Sequence, residues 1–173
     1  MSMIDYDLKK IKAFIFDIDG VLSRQTLPIS SEGEPLRTIN IRDGYALNLA
    51  VRCGYGVAII TGGNTLSVRV RYESLGVKDI YMKSKTKIDE YQHYISKSSY
   101  KPEEIIYVGD DIPDYRVMCE VGLAVAPLDA APEIKKIAKY ISPVKGGEGV
   151  ARDVIEQVLK VQGHWMSEEA FGW

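Results

Sequence analysis

Five short runs of unbroken apolar residues, each followed by an amphipathic stretch, constrain this chain more than any other feature. The runs are Ala13-Phe14-Ile15-Phe16, Val57-Ala58-Ile59-Ile60, Ile80-Tyr81-Met82, Ile105-Ile106-Tyr107-Val108 and Leu123-Ala124-Val125-Ala126. A strand that is apolar at every residue, not every second one, is buried on both faces. Strands of this kind that alternate with helices pair in parallel. The spacing predicts helices over about 44–53, 65–75, 85–96, 114–121, 132–138 and 149–161. The expected fold is α/β, a parallel sheet with helices on both faces. At 173 residues with 46% hydrophobic side chains, the chain reads as one domain with enough apolar surface for a core.

Two regions break the alternation. Residues 21–42 read as a β-hairpin, with strands over 26–29 and 36–41 and a turn over 30–34. A two-stranded ribbon is marginal alone, so its expected partner is another subunit. The tail, 162–173, carries His164, Trp165, Phe171 and Trp173 and reads either as a frayed end or as a segment docked on a neighbour. Cys53 and Cys119 are far apart in apolar helical contexts and read as buried free thiols. A formal net charge of −2 gives no electrostatic case for nucleic acid or a membrane surface. No stretch is apolar enough to span a bilayer and the first twelve residues lack a signal-peptide core, so a cytoplasmic location is the default.

Ligands of open α/β sheets bind beyond the carboxyl ends of the strands. Four of these ends carry groups useful for phosphoryl transfer: Asp17-Ile18-Asp19-Gly20, Thr61-Gly62-Gly63-Asn64, the lysines Lys83, Lys85 and Lys87, and Gly109-Asp110-Asp111-Ile112-Pro113-Asp114. A carboxylate can attack phosphorus and split one hard step into two. Carboxylate and phosphate repel, so a cation must stand between them, and magnesium prefers hard oxygen ligands. Asp17 and Asp110 are the expected ligands, with the backbone carbonyl of Asp19 in reach. Asp19 follows Asp17 by two residues, a position from which it can protonate a leaving alkoxide and later activate water. Gly20 permits a sharp exit from the strand. Thr61 offers a hydroxyl to phosphate, and a lysine balances the remaining charge.

In this order, Asp17-Ile18-Asp19-Gly20, Ile60-Thr61-Gly62, a lysine and Gly109-Asp110-Asp111-x-x-Asp114 resemble the four motifs of the haloacid dehalogenase superfamily, over about residues 12–161. Asn40-Ile41-Arg42-Asp43-Gly44-Tyr45, Tyr107-Val108-Gly109-Asp110-Asp111 and Gly146-Gly147-Glu148-Gly149 look like its capless group typified by 3-deoxy-D-manno-octulosonate 8-phosphate (KDO 8-phosphate) phosphatases. The resemblance implies a Rossmann-like sheet with no cap domain. It also implies a homotetramer built through the hairpin, with a neighbouring subunit covering the active site. The implied reaction is Mg2+-dependent hydrolysis of a sugar acid phosphate in lipopolysaccharide sugar biosynthesis. By the same resemblance Asp17 is the nucleophile, Asp19 the acid/base, Thr61 the phosphate-binding hydroxyl and Lys87 the motif lysine. Asp110 is a metal ligand supported by Asp111 and Asp114, and Gly20 and Gly62 line the phosphate.

One departure stands out. Family members often have an arginine after the Thr-Gly pair, and here the run is Gly62-Gly63-Asn64. Arg42 is the remaining candidate for a substrate carboxylate, which a guanidinium binds bidentately, and Lys83 is a second candidate substrate contact. Gly146-Gly147-Glu148-Gly149 reads either as an anion-binding helix start or as a plain turn into the helix. His93 sits on a helix with no partner spacing and His164 lies in the tail, so neither reads as catalytic. The nearest rival substrate is a nine-carbon 2-keto sugar acid phosphate. A phosphoacceptor signalling domain would put an adjacent acidic pair after the first strand and an aspartate after the third, and neither is present. A catalytically dead regulatory subunit is at odds with intact Asp17, Asp19, Thr61 and Asp110.

Overall fold

The structure is a computed structural model and describes residues 2–173. Six parallel strands form one sheet: β1 (Ala13–Phe16), β2 (Gly56–Ile60), β3 (Asp79–Tyr81), β4 (Ile105–Val108), β5 (Leu123–Ala126) and β6 (Tyr140–Ile141), in the order β3-β2-β1-β4-β5-β6. The helices are α1 (Ile41–Arg52), α2 (Leu66–Ser74), α3 (Lys87–Lys97), α4 (Tyr115–Glu120), α5 (Pro132–Ile137) and α6 (Val150–Val161). All five predicted strands form. β6 has two residues and no apolar run of its own, so periodicity does not reveal it. It exists because β5 offers a free edge, with Val125 opposite Tyr140.

Every residue of β1, β4 and β5 is buried, as their unbroken apolarity requires. Alternate residues feed two cores. Phe14 and Phe16 pack with Leu47 of α1, Val68 of α2 and Val154 of α6. Ala13 and Ile15 pack with Tyr91 of α3, Val117 of α4 and Ile134 of α5. The chain steps from β1 outward through β2 to β3, then returns to lay β4 on the other side of β1. That reversal opens a crevice between the carboxyl ends of β1 and β4.

Several local expectations change. α1 begins at Ile41, three residues before the predicted start, because the Asn40 side chain accepts the N–H groups of Arg42 and Asp43. The hairpin ribbon shrinks to one antiparallel bridge, Ile29 to Pro35, with Ser30 N–H to Glu34 O at 2.8 Å and Leu36 N–H to Pro28 O at 2.9 Å. Pro28 and Pro35 each remove a ladder donor, which stops the pairing from extending. The tail is not frayed, although Phe171 and Trp173 keep most of their surface exposed. It folds back on its own chain, with Trp165 under the Arg152 guanidinium at 4.5 Å and Trp173 edge-on to Tyr45 at 5.7 Å. Arg52 Nη2 donates to Gly172 O at 2.8 Å, which closes the strap. Neither cysteine is fully buried: Cys53 is intermediate and Cys119 exposed, because α4 turns Val117 and Met118 inward instead. No helix among the described residues is long and apolar enough to cross a membrane.

Candidate active site

Asp17 leaves the sheet at the end of β1, and its N–H still donates to Val108 O at 3.1 Å. That last sheet bond anchors its backbone at the crevice. One carboxylate oxygen, Oδ1, accepts the Ile18 N–H at 2.6 Å, and Oδ2 lies 2.7 Å from Lys87 Nζ. Lys87 opens α3, and its buried ammonium also lies 2.7 Å from Asp114 Oδ1. Asp114 has no exposed surface and accepts four hydrogen bonds. Lys87 Nζ and the Tyr107 hydroxyl reach Oδ1 at 2.7 and 2.6 Å, and the N–H groups of Asp110 and Asp111 reach Oδ2 at 3.0 and 3.3 Å. It therefore braces both the lysine and the loop that carries Asp110.

Thr61 is buried at the end of β2, where its Oγ1 accepts the Gly63 N–H at 3.0 Å. Gly20 has φ +86°, and a Cβ there would lie 2.0 Å from Asp110 Oδ2. Glycine is thus required twice, by the backbone angle and by the close approach of the Asp110 carboxylate. Asp17, Asp19, Gly20, Thr61, Gly62, Lys87, Asp110, Asp111 and Asp114 all line one cavity of about 550 Å³. Four strand ends far apart in sequence meet there, as the sequence reading expects.

The cavity wall holds six aspartates, the five just named and Asp129, against a single lysine. Burial and the excess of negative charge together shift the acidity of this wall. Burial and then the neighbouring Asp114 push the Asp17 carboxyl up to about 7, against the opposing pull of Lys87. Burial, then Asp17 and Asp114, push Asp110 up to about 8. Burial works against the Lys87 ammonium, yet the two carboxylates outweigh it and hold its pKa above the ordinary lysine value. A phosphate dianion could not enter such a wall without a compensating cation. Carboxylate oxygens of Asp17, Asp110 and Asp114 lie within 4.8 Å of one another, and an all-oxygen set of this kind suits a hard divalent ion. Asp114 already serves four donors, so Asp17 and Asp110 are the carboxylates with capacity to ligate. The Asp19 carboxylate lies outside this cluster and pairs with Arg37, which leaves only its main-chain carbonyl as the expected ligand atom.

Two candidates stay outside the cavity. Arg42 is exposed on the first turn of α1, where the Asn40 cap holds its backbone. Lys83 is exposed with φ +56°, and it borders a separate groove with Asn64, Arg69 and Glu90. Lys85 is exposed as well. The glycine run before α6 serves close packing: a Cβ on Gly146 would lie 2.0 Å from Gly20 O, and the Gly146 N–H is committed to Asp129 Oδ1 at 2.9 Å. Sequence reasoning missed Tyr107, Arg37, Thr65, Gln25 and Asp129. Only Tyr107 carried a signal, a hydroxyl inside an otherwise aliphatic strand that must find a buried partner. Gln25 Nε2 donates to Asp129 O at 2.9 Å, a contact between segments about a hundred residues apart.

Comparison with known proteins bears on this geometry. The profile of the haloacid dehalogenase-like hydrolase family matches residues 60–154. The chain is 37% identical over 155 residues to the 3-deoxy-D-manno-octulosonate 8-phosphate phosphatase KdsC of Escherichia coli, covering 90% of this chain and 82% of that one. The crystal structure of the Yersinia pestis phosphatase of the same name superposes with a TM-score of 0.87 at 34% identity, over 91% of this chain and 85% of that one. A second similar structure is the Moraxella catarrhalis phosphatase of the same name in complex with a magnesium ion, a phosphate ion and KDO. It has a TM-score of 0.86 and 30% identity, and the match covers 91% of each chain.

Proposed function

The chain belongs to the haloacid dehalogenase-like hydrolases, and from that membership we propose that it is a magnesium-dependent phosphomonoesterase converting KDO 8-phosphate to KDO and phosphate, in lipopolysaccharide sugar biosynthesis. The observation that carries this reading is the buried Asp17–Lys87–Asp114 array facing Asp110 across a cavity that a phosphate can enter only with a cation. The named relatives, with about a third of their residues identical along nearly the whole chain, supply the substrate.

Asp17 is the nucleophile. Its carboxylate oxygen forms a bond to phosphorus while the bond to the sugar oxygen breaks, and the Asp19 carboxylic acid gives its proton to the departing alkoxide. Water then attacks the aspartyl phosphate and passes a proton back to Asp19, which frees Asp17 and inorganic phosphate. Lys87 holds the Asp17 carboxylate in place and opposes the negative charge that gathers on the phosphoryl oxygens. Thr61 presents its hydroxyl to one of those oxygens. Asp17, Asp110 and the Asp19 carbonyl would hold magnesium, which would supply the positive charge that a phosphate needs in this acidic cavity.

The same reading makes the protein a homotetramer whose neighbouring subunit helps close the cavity, and it places the reaction in the cytoplasm. Support for assembly comes from exposed aliphatic residues on two joined elements. The hairpin carries Ile29, Leu36 and Ile39, and the start of α2 carries Leu66 and Val70. Thr65 ties the two together through Glu34 and Arg37. Apolar area of this kind on a monomer marks a contact surface. A phosphate-release panel tests the function. KDO 8-phosphate, the nine-carbon analogue and simple sugar phosphates are compared with magnesium and with chelator, in wild type and Asp17→Asn. Magnesium-dependent release that prefers KDO 8-phosphate and is lost in the variant is expected. Activity persisting in Asp17→Asn, or in chelator, would refute the mechanism. A solution mass of one chain at micromolar concentration would refute the assembly.

A further inference from the structure

At the mouth of the cavity, Asp19 is gripped from the hairpin. Arg37 Nε donates to Asp19 Oδ1 at 2.8 Å and Nη2 donates to Oδ2 at 2.9 Å, a two-pronged fork on one carboxylate. The third arm, Nη1, donates to Thr65 Oγ1 at 2.9 Å, and the Thr65 hydroxyl donates to Glu34 Oε2 at 2.9 Å. The Arg37 side chain is 10% exposed and that of Asp19 43%. The guanidinium is therefore the fixed member of the pair, and the carboxylate is the member that meets solvent and substrate.

Gly63 forms the back of this arrangement. A Cβ built on it would lie 2.5 Å from Arg37 Nη2 and 3.1 Å from Cζ. Its φ is not in the left-handed region, so the backbone makes no demand for glycine. The guanidinium occupies the volume a side chain at position 63 would fill, and Thr61 Oγ1 lies 3.3 Å from the same point. The arginine absent from the Thr-Gly run is thus answered by one that arrives from the hairpin into the space that run leaves open.

We propose that Arg37 is the positioning residue for Asp19, and that Gly63 is the residue that makes room for it. The inference rests on the acid/base role of Asp19 given above. A carboxyl that must deliver a proton to the leaving oxygen loses rate steeply when it is misplaced. The half-exposed Asp19 carboxylate has Arg37 as its hydrogen-bond partner. The fork fixes the ionised form, and when one oxygen carries the proton the other still accepts from the guanidinium, so the rotamer is kept. The Thr65–Glu34 relay holds the fork in turn.

The test compares leaving groups. The value of kcat/KM reports steps up to release of the first product, so it isolates proton delivery to the leaving oxygen. An alkyl sugar phosphate without a carboxylate needs that proton, whereas 4-nitrophenyl phosphate releases a stable phenolate and does not. Arg37→Ala should lower kcat/KM for the sugar phosphate by about 100-fold and that for 4-nitrophenyl phosphate by no more than about threefold. Arg37→Lys should recover only part of the loss, since an ammonium cannot form the fork. Gly63→Ala, which displaces the guanidinium while leaving a flexible side chain free to move aside, should show the same pattern in weaker form. It carries the test if Arg37→Ala fails to fold. Equal losses on both substrates, or none on either, would overturn the proposal. So would a loss confined to substrates bearing a carboxylate, which would make Arg37 a substrate contact. Asp19→Asn separates the two levels. If it lacks the leaving-group pattern, the acid/base reading itself falls. If it shows the pattern and Arg37→Ala does not, only the role of Arg37 falls.

Discussion

Asp114→Asn exposes how much of the site is held by one buried acceptor. Asp114 has four partners, and every one is a donor: Lys87 Nζ, the Tyr107 hydroxyl and the N–H groups of Asp110 and Asp111. Asparagine keeps the shape but has one acceptor oxygen and two N–H donors of its own. If that oxygen faces Lys87 and Tyr107, the amide nitrogen confronts the two backbone donors and leaves both unsatisfied. If it is flipped, the amide nitrogen confronts the lysine ammonium. Each buried orphan costs about 1–3 kcal/mol. Two of them cost roughly 2–6 kcal/mol, and the Lys87 ammonium loses one of its two charged partners besides. Asp114 also contributes to the upward push on Asp17 and Asp110, so removing its charge relieves some of that repulsion. The orphaned donors win, because no rotation of the amide supplies a second acceptor. The expected net loss is about 3 kcal/mol. Urea unfolding followed by circular dichroism, in chelator, measures it. Asp111→Asn is the internal control: that residue is exposed and its side chain caps the short turn that follows, accepting the Ile112 N–H at 2.8 Å, a role an asparagine oxygen also fills. It should stay within about 1 kcal/mol of wild type. A change in Asp114→Asn smaller than about 0.5 kcal/mol would refute the acceptor argument.

Two further outcomes follow from buried groups. Asp43 is 2% exposed, its Oδ1 accepts the Arg152 N–H at 2.7 Å, and its Oδ2 has no partner. Burial raises its pKa to about 6, against the pull of that hydrogen bond and of the Arg152 charge. The fold therefore favours the protonated form. This contribution is complete below the unfolded value near 4 and is lost as pH rises through about 6, leaving a penalty of ~3 kcal/mol at pH 8. Asp43→Asn should gain stability over wild type at pH 8 and lose that advantage at pH 4, read as urea midpoints at the two pH values. An advantage that does not grow with pH would refute it. Gly20→Ala should cost at least ~1 kcal/mol from its positive φ, and it should weaken magnesium about tenfold or more by driving a methyl into Asp110 Oδ2. Magnesium-dependent thermal shift measures both, and unchanged affinity would sink the argument from close approach.

The sequence alone determined the sheet and which polar residues gather at its edge. Unbroken apolar runs such as Ile105–Val108, short and alternating with helical patterns, read as strands buried on both faces, and the polar groups that follow each run then gather at one end of a parallel sheet. Asp17, Asp19, Thr61, Lys87 and Asp110 were legible because each lies within a few residues of such an end. The tertiary structure decided the contacts made by segments with no periodicity. Arg37 gave no local sign, because its meaning depends on Gly63 leaving a space 26 residues away and on Thr65 receiving its third arm. The tail also reads as loose aromatics until α1 and α6 present Tyr45 and Arg152 to it. Asp17 and Asp19 are separated by one residue, yet the fold gives them opposite surroundings: one is buried against Lys87, the other half-exposed and held by Arg37. Local pattern reports the backbone state and which residues are buried, because these repeat with the helix or strand. Pairing across the chain depends on where separate elements come to rest, and only packing determines that.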